Sequence, residues 1–259
     1  MFMNSGIQNI SLNIFVISVK RYIDRHDSVN SQMKELGLNF EFIFSNDPEN
    51  FIEKDLDYIK PNSLTIGATS CVLKHVNAWK KFANSDSEFA LILEDDVIFR
   101  KNFLQNLEKT ITLLHEIEPS FLVFLGGADN KLNKKFFESN TLNLIEFPIS
   151  TTEGYIIDQS SAHLRLDWLL RHNKIQDAAD HFLKKIDKKL GIKQYRPSFP
   201  ILQQGSLYGK FISELDINRS KHGRLYIFTR FHWKKFRKQT LPRFLTRLFT
   251  TNYSSRSKK

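Results

Sequence analysis

Apolar positions change period along the chain. Asn13 to Val19 is a short, mostly apolar run of strand length, and Asp24 to Leu36 takes up a helical spacing that stops at Gly37, a residue that ends helices. Phe40 to Phe44 predicts a second strand. Residues 45 to 64 are polar, contain Pro48 and Pro61, and predict a connecting loop with a short helical turn. Ala68 to Phe82 has helical spacing, with Cys71, Val72, Val76, Trp79 and Phe82 on one side. Phe89 to Phe99 is apolar at both ends with Glu94, Asp95 and Asp96 between, which predicts a strand buried on both faces. Asn102 to Glu116 predicts a helix, and Phe121 to Leu125 a buried strand ending in Gly126 and Gly127. In the second half, Thr151 to Ile157 predicts a strand, and Ser161 to His172 a helix. Asp177 to Leu190 predicts a further helix with Asp180 and His181 in its first turn, and Phe199 to Leu202 a last strand.

Strands alternating with helices imply a mainly parallel sheet covered on both sides. Ligands of such sheets sit at the carboxyl ends of the strands. That rule draws Ser18 to Arg25, the Glu94 to Asp96 cluster and the Gly126-Gly127 turn toward one crevice.

The 259 residues, 41% of them hydrophobic and 23 of them Phe, suffice for one large α/β domain or a domain with an appendage. A single cysteine, Cys71, excludes an internal disulfide framework and fits a reducing compartment; it reads as a small buried hydrophobe. The first residues show no basic leader or small-residue cleavage site, and no apolar run approaches roughly 18 residues. The expected location is therefore cytoplasmic, or peripheral on a membrane.

Charge is unevenly placed. The net charge is +10, yet no acidic residue follows Asp216, and 13 Lys and Arg fall between Arg219 and Lys259. We therefore divide the chain into residues 1–216 and a basic tail, 217–259. In the tail Tyr226, Phe228, Phe231, Trp233 and Phe236 alternate with Arg230, Lys234, Lys235 and Arg237, a composition suited to lying on anionic lipid. Nucleic acid would attract the same charges, and a solvated basic helix would share them, but nucleic acid is not expected as a partner.

Three adjacent acids need a counter-charge. Hard divalent ions take oxygen ligands and are often held by one or two carboxylates together with substrate phosphates, so Glu94, Asp95 and Asp96 point to a metal and a phosphate-bearing substrate. Pairing of the same acids with Lys or Arg is the alternative.

Three segments in order then carry a resemblance: Ser18 to Arg25, Gly67 to Trp79 with its Cys71-x-x-x-His75 spacing, and Leu91 to Val97 around the acids. The chain resembles glycosyltransferase family 25, the group of bacterial lipooligosaccharide galactosyltransferases and collagen galactosyltransferase domains. Thr152-Glu153-Gly154-Tyr155-Ile156-Ile157, Ala179-Asp180, and Pro200 with Gln203, Gln204 and Ser206 extend the resemblance to about residue 215. Ser18, Lys74 and Gly154 depart from the family's usual Asn, Ser and Ala.

The resemblance implies a GT-A-like, Rossmann-type α/β fold. It also implies an inverting transfer of a hexose, galactose by preference, from a UDP-sugar to a lipid-linked lipopolysaccharide or lipooligosaccharide acceptor at the inner face of the bacterial cytoplasmic membrane. Asp96, assisted by Glu94 or Asp95, would hold the divalent metal, Mn2+ in preference to Mg2+. Ser18, Arg21, Arg25, His75, Glu94, Asp95, Gly126 and Gly127 would meet the donor, and Thr152, Tyr155 and Gln204 the acceptor. Asp180 is the candidate base that takes the acceptor proton, with Glu153 and Asp158 in reserve. A helix start would also explain Asp180, and a plain turn Gly126-Gly127. Rival classes are a catalytically silent membrane-binding module and a metal-dependent nuclease; the nuclease would need its basic residues around the acids instead of after Asp216.

Overall fold

The computed structural model describes residues 11–127, 141–171, 174–207, 210–211, 224–237 and 241. Their elements run β1 (Leu12–Ile17), α1 (Ile23–Leu36), β2 (Glu41–Ile43), α2 (Glu53–Leu56), α3 (Ile66–Ala83), β3 (Phe89–Glu94), β4 (Val97–Phe99) and α4 (Phe103–Leu114). They continue with β5 (Phe121–Phe124), β6 (Leu144–Glu146), β7 (Gly154–Asp158), α5 (Gln159–Leu170), α6 (Ala179–Leu190), β8 (Lys193–Pro197), β9 (Leu202–Gln204) and α7 (Arg224–Lys235). The main sheet has seven strands in the order β2-β1-β3-β7-β5-β8-β6. Ladders β1/β2, β1/β3 and β5/β8 are parallel, while β7 and β6 run against their neighbours, so the sheet is mixed and mainly parallel in strand direction.

Side chains of a strand alternate between faces, and here each face has its own helices. Ala90, Ile92, Tyr155 and Ile157 meet α3, α5 and α6 in one core that includes Val72, Trp79, Phe82 and Phe182. Leu91, Leu93, Val123 and Ile156 meet α1 and α4 through Val29, Met33, Leu107 and Ile111 in the other. Residues 89 to 93 are at most 5% exposed, as expected of a strand covered on both sides. α1 ends in Gly37 at φ 65°, a left-handed cap whose amide bonds back to Lys34. Thr65 caps α3 by accepting from the Ala68 amide, and Asp158 caps α5 through Ser161.

Two expectations need correction. Phe89 to Phe99 is not one strand: β3 ends at Glu94, Asp95 and Asp96 form a turn, and β4 leaves the sheet to pair with β9. Carboxylates are costly in a strand interior, so they occupy the place where the strand stops. Strands β6 and β8 lie outside the predicted set, and the last strand is β9 instead of Phe199 to Leu202. The expected boundary at residues 216 and 217 falls outside the described residues.

Candidate functional site

The register Ile17↔Glu94 sets the ends of β1 and β3 side by side at the carboxyl edge of the sheet. Ser18 therefore meets the acid turn, donating from Oγ to Asp95 Oδ2 at 2.6 Å. Arg25, in the first turn of α1, reaches Asp95 Oδ1 at 2.6 Å and lies 4.7 Å over the Tyr22 ring. Burial works to lower the basicity of Arg25, but Asp95 outweighs it and the pKa is raised. Both oxygens of Asp95 are thus engaged, which makes it the anchor that ties β1 and α1 to the turn.

Asp96 is held differently. Its carbonyl accepts from the Gly205 amide at 2.7 Å, and its Oδ2 from the Ser206 amide at 3.3 Å. A Cβ on Gly205 would stand 2.7 Å from that carbonyl, so only glycine permits this approach. Oδ1 of Asp96 is buried and has no hydrogen-bond partner among the described residues. Burial first, then the neighbouring Glu94, push the Asp96 pKa up to about 6. Glu94 Oε1 accepts from Thr152 Oγ1 at 2.5 Å, and burial raises its pKa to about 7 with Asp95 and Asp180 adding to the rise.

A cavity of about 300 Å³ opens above these acids, within the size range of ligand pockets. Ser18, Arg21, Tyr22 and Arg25 line one side, Glu94, Asp95, Asp96, Gln204 and Ser206 another, and Gly67, Ser70, Cys71 and Lys74 of α3 a third. Lys74, 1% exposed, bonds to Asp47 Oδ1 at 2.5 Å and to the Ser45 carbonyl at 3.1 Å. Burial lowers its pKa, while Asp47 opposes the fall. Arg21 is half-exposed and pairs with Glu49.

A buried layer supports this edge. His75 Nδ1 lies 2.8 Å from the Tyr155 hydroxyl, which also accepts from Trp79 Nε1 at 3.1 Å. Burial, then Arg165, lower the His75 pKa to about 3, so the ring is neutral. Arg165 donates from two nitrogens to Asp187 at 2.9 Å each, and both side chains are fully buried.

Of the residues predicted from sequence, Ser18, Arg21, Arg25, Glu94, Asp95, Asp96 and Gln204 line the cavity. Tyr155 and His75 do not: both are wholly buried, because alternation along β7 turns Tyr155 inward against α3. Thr152 is 7% exposed and orients Glu94. The close approach that Gly126 permits is to Glu153, whose carboxylate an added Cβ would overlap and whose Oε1 accepts from the Gly127 amide at 3.2 Å. Glu153 also accepts from Thr151 and is 3% exposed. Asp158 is a structural acid, capping α5 and accepting from the Ser120 and Phe121 amides that begin β5. Asp180 lies in the first turn of α6, whose cap is Ala178, and its Oδ1 accepts from the His181 amide at 2.8 Å. Tyr22 lines the cavity within the Ser18 to Arg25 segment drawn there from sequence, whereas Asp47 and the wall position of Cys71 were missed; no local pattern marks Asp47, which lies in a polar loop.

The residues fit a divalent cation. Asp96 Oδ1 is a buried carboxylate oxygen without a partner, at a cavity wall shared with Glu94, and oxygen donors suit a hard ion.

Human procollagen galactosyltransferase 2 is 27% identical over 164 residues, 58% of this chain and 26% of that protein. Xenopus laevis procollagen galactosyltransferase 1-B is 31% identical over 129 residues, 44% of this chain and 21% of that protein. The chain spans about half the length, or less, of the curated relatives it matches. Among solved structures, a galactosyltransferase in complex with donor and acceptor sugar analogues matches 85% of this chain and 94% of its own at 10% identity, with a TM-score of 0.42. A glycosyltransferase involved in glycosylation of the major capsid of PBCV-1 matches 86% and 98%, with a TM-score of 0.43. The model of glycosyltransferase family 25 (LPS biosynthesis protein) matches residues 11–183 of the 259, from β1 into α6 and so across the whole acid turn: the chain belongs to glycosyltransferase family 25.

Proposed function

We propose that this chain is a glycosyltransferase that moves a hexose, galactose by preference, from a UDP-sugar to the glycan of a lipid-linked acceptor of the lipooligosaccharide class, with inversion. The observation that carries the reading is the buried, unpartnered Asp96 Oδ1 facing a cavity with Arg25 at its other wall. Family membership and the galactosyltransferase names of the relatives support the reaction class.

Asp96 would hold a divalent cation, Mn2+ over Mg2+, with Glu94 beside it. When bound, that ion supplies Lewis-acid stabilisation of charge on the leaving diphosphate. Arg21 and Arg25 sit where a diphosphate can be met by cationic donors. Thr152 fixes Glu94 in place, and Ser18 and Arg25 fix the turn through Asp95. Asp180 is our base. Its charge raises the pKa of Glu94, and while its Oδ1 accepts from the His181 amide in the first turn of α6, the cap position itself is Ala178. Acceptor approach from the α6 side would let that carboxylate take the hydroxyl proton as the hydroxyl attacks.

The test is a panel of uridine, guanosine and cytidine sugar nucleotides, scored for Mn2+-dependent hydrolysis and thermal stabilisation, with Asp96→Asn as control. Stabilisation by one uridine sugar that disappears in the variant is expected. Silence across the panel, or full activity in Asp96→Asn, overturns the reading.

A further inference from the structure

α3 turns Cys71 and His75 toward the end of β3. Cys71 and His75 are four residues apart and share a face of the helix. Alternation along β3 puts Glu94 on the same side of the sheet as Ile92, which packs in the α3 layer. One ligand atom from each of Cys71, His75 and Glu94 can be chosen so that all three lie within 4.8 Å of one another. His75 Nε2 is 3.9 Å from Glu94 Oε1, yet it is buried and makes no hydrogen bond among the described residues.

We propose that Cys71, His75 and Glu94 form a second cation site, for a borderline ion such as Zn2+, separate from the hard-ion position at Asp96. The donor set decides the ion. Sulfur and imidazole nitrogen beside one carboxylate suit Zn2+, whereas Mg2+ and Mn2+ favour oxygen. Tetrahedral Zn2+ with bonds of roughly 2.0–2.3 Å sets its ligands roughly 3.3–3.8 Å apart, so the three atoms need approach by only about 1 Å. Side-chain torsions of Cys71 and Glu94 supply that movement. Both residues line the cavity, so the fourth position faces it and takes water or a substrate group.

The second layer suits the same ion. With its proton on Nδ1, His75 donates to the Tyr155 hydroxyl at 2.8 Å and turns the Nε2 lone pair toward Glu94. Tyr155 is fixed in turn by Trp79. Binding converts the Cys71 thiol to thiolate and releases its proton to solvent. Because Glu94 belongs to both sites, Zn2+ would draw one carboxylate away from the Asp96 cluster; this consequence alone rests on the transferase reading, and there Zn2+ would inhibit.

Cobalt provides the test. The metal-free full chain is titrated with Co2+, and the thiolate-to-cobalt charge-transfer band is followed in the near ultraviolet. Cys71 is the one cysteine in the sequence, so any such band reports on it alone. One equivalent of Co2+ should raise the band, and one equivalent of Zn2+ should remove it. Cys71→Ser should abolish it, His75→Gln should weaken Co2+ binding by about tenfold or more, and Asp96→Asn should leave it intact. Glu94→Gln replaces His75→Gln if the buried histidine proves necessary for folding, and the same weakening is expected. No band in the wild-type chain, or a band lost in Asp96→Asn, overturns the proposal. A band from a chain that is silent with every sugar nucleotide overturns the transferase reading and leaves the cation site standing.

Discussion

At the scale of single residues, Asp96 combines burial with an oxygen, Oδ1, that nothing among the described residues satisfies. Its side chain ionises in the native state only above its ordinary range, near 6 instead of 3.8. Below 3.8 both native and unfolded chains hold the proton and the group adds no pH dependence. Between 3.8 and 6 the unfolded chain ionises while the native chain keeps its proton, so stability falls as pH rises through this window and then levels. Glu94 extends the fall to about 7. Asp96→Asn should therefore be more stable than wild type at about pH 7.5 without divalent ions, by on the order of 1–3 kcal/mol, and should flatten the slope between pH 4 and 6. Urea unfolding across that range measures both, and a variant less stable at pH 7.5 refutes this view of Asp96. Tyr155→Phe tests the layer beneath. It strips a partner from buried Trp79 and His75 at once and should cost about 1–3 kcal/mol in the same assay, whereas a neutral outcome would mean that those donors relax to other acceptors. The acids were legible because three adjacent carboxylates break an apolar run. Their partners were not: Ser18 meets Asp95 across 77 positions and Lys74 meets Asp47 across 27, and no periodicity carries such information.

At the scale of elements, the sequence indicated α1, α3, α4 and α6 because each has an apolar stripe or a clear stop, Gly37 after α1 being the plainest, whereas α5 buries Ser161 and Arg165 beside Ala162 and Leu169 and carries no such stripe. β8 was illegible because Lys-Gln-Tyr-Arg-Pro is not an apolar run, although Gln194 and Arg196 are buried within it. A polar strand can enter a sheet when its side chains find partners, and Gln194 donates to Asp187 at 2.8 Å. Asp187 therefore joins α5, α6 and β8 through Arg165 and Gln194. Arg165→Met leaves that carboxylate buried without its cation, with an expected loss of about 3–5 kcal/mol. The double variant Arg165→Met, Asp187→Leu removes the charge altogether and should recover much of the loss. A double variant no more stable than the single one would assign the loss to packing of Arg165 against the Trp79 ring, 5.3 Å away.

At the scale of the whole molecule, charge is partitioned more sharply than fold. The cavity edge concentrates acids, while the chain after Asp216 carries 13 basic residues and no acidic one. α7 exposes Leu225, Tyr226, Phe228 and Trp233 beside Arg230 and Lys234, and no helix among the described residues is long and apolar enough to cross a membrane. An exposed helix with aromatic and cationic side chains can bind a surface through both contributions: apolar burial at the interface, and about 1 kcal/mol for each Lys or Arg held near anionic lipid. Lys234→Glu with Lys235→Glu should then weaken sedimentation with anionic vesicles by about tenfold or more, with the difference shrinking as salt rises. Truncation after Asp216 should abolish sedimentation while sparing much of the transfer to a soluble acceptor, because the acid turn and its cavity walls lie earlier in the chain. Equal sedimentation by all three chains would remove the membrane from the proposal. Loss of transfer to the soluble acceptor in the truncated chain would mean instead that the tail completes the site.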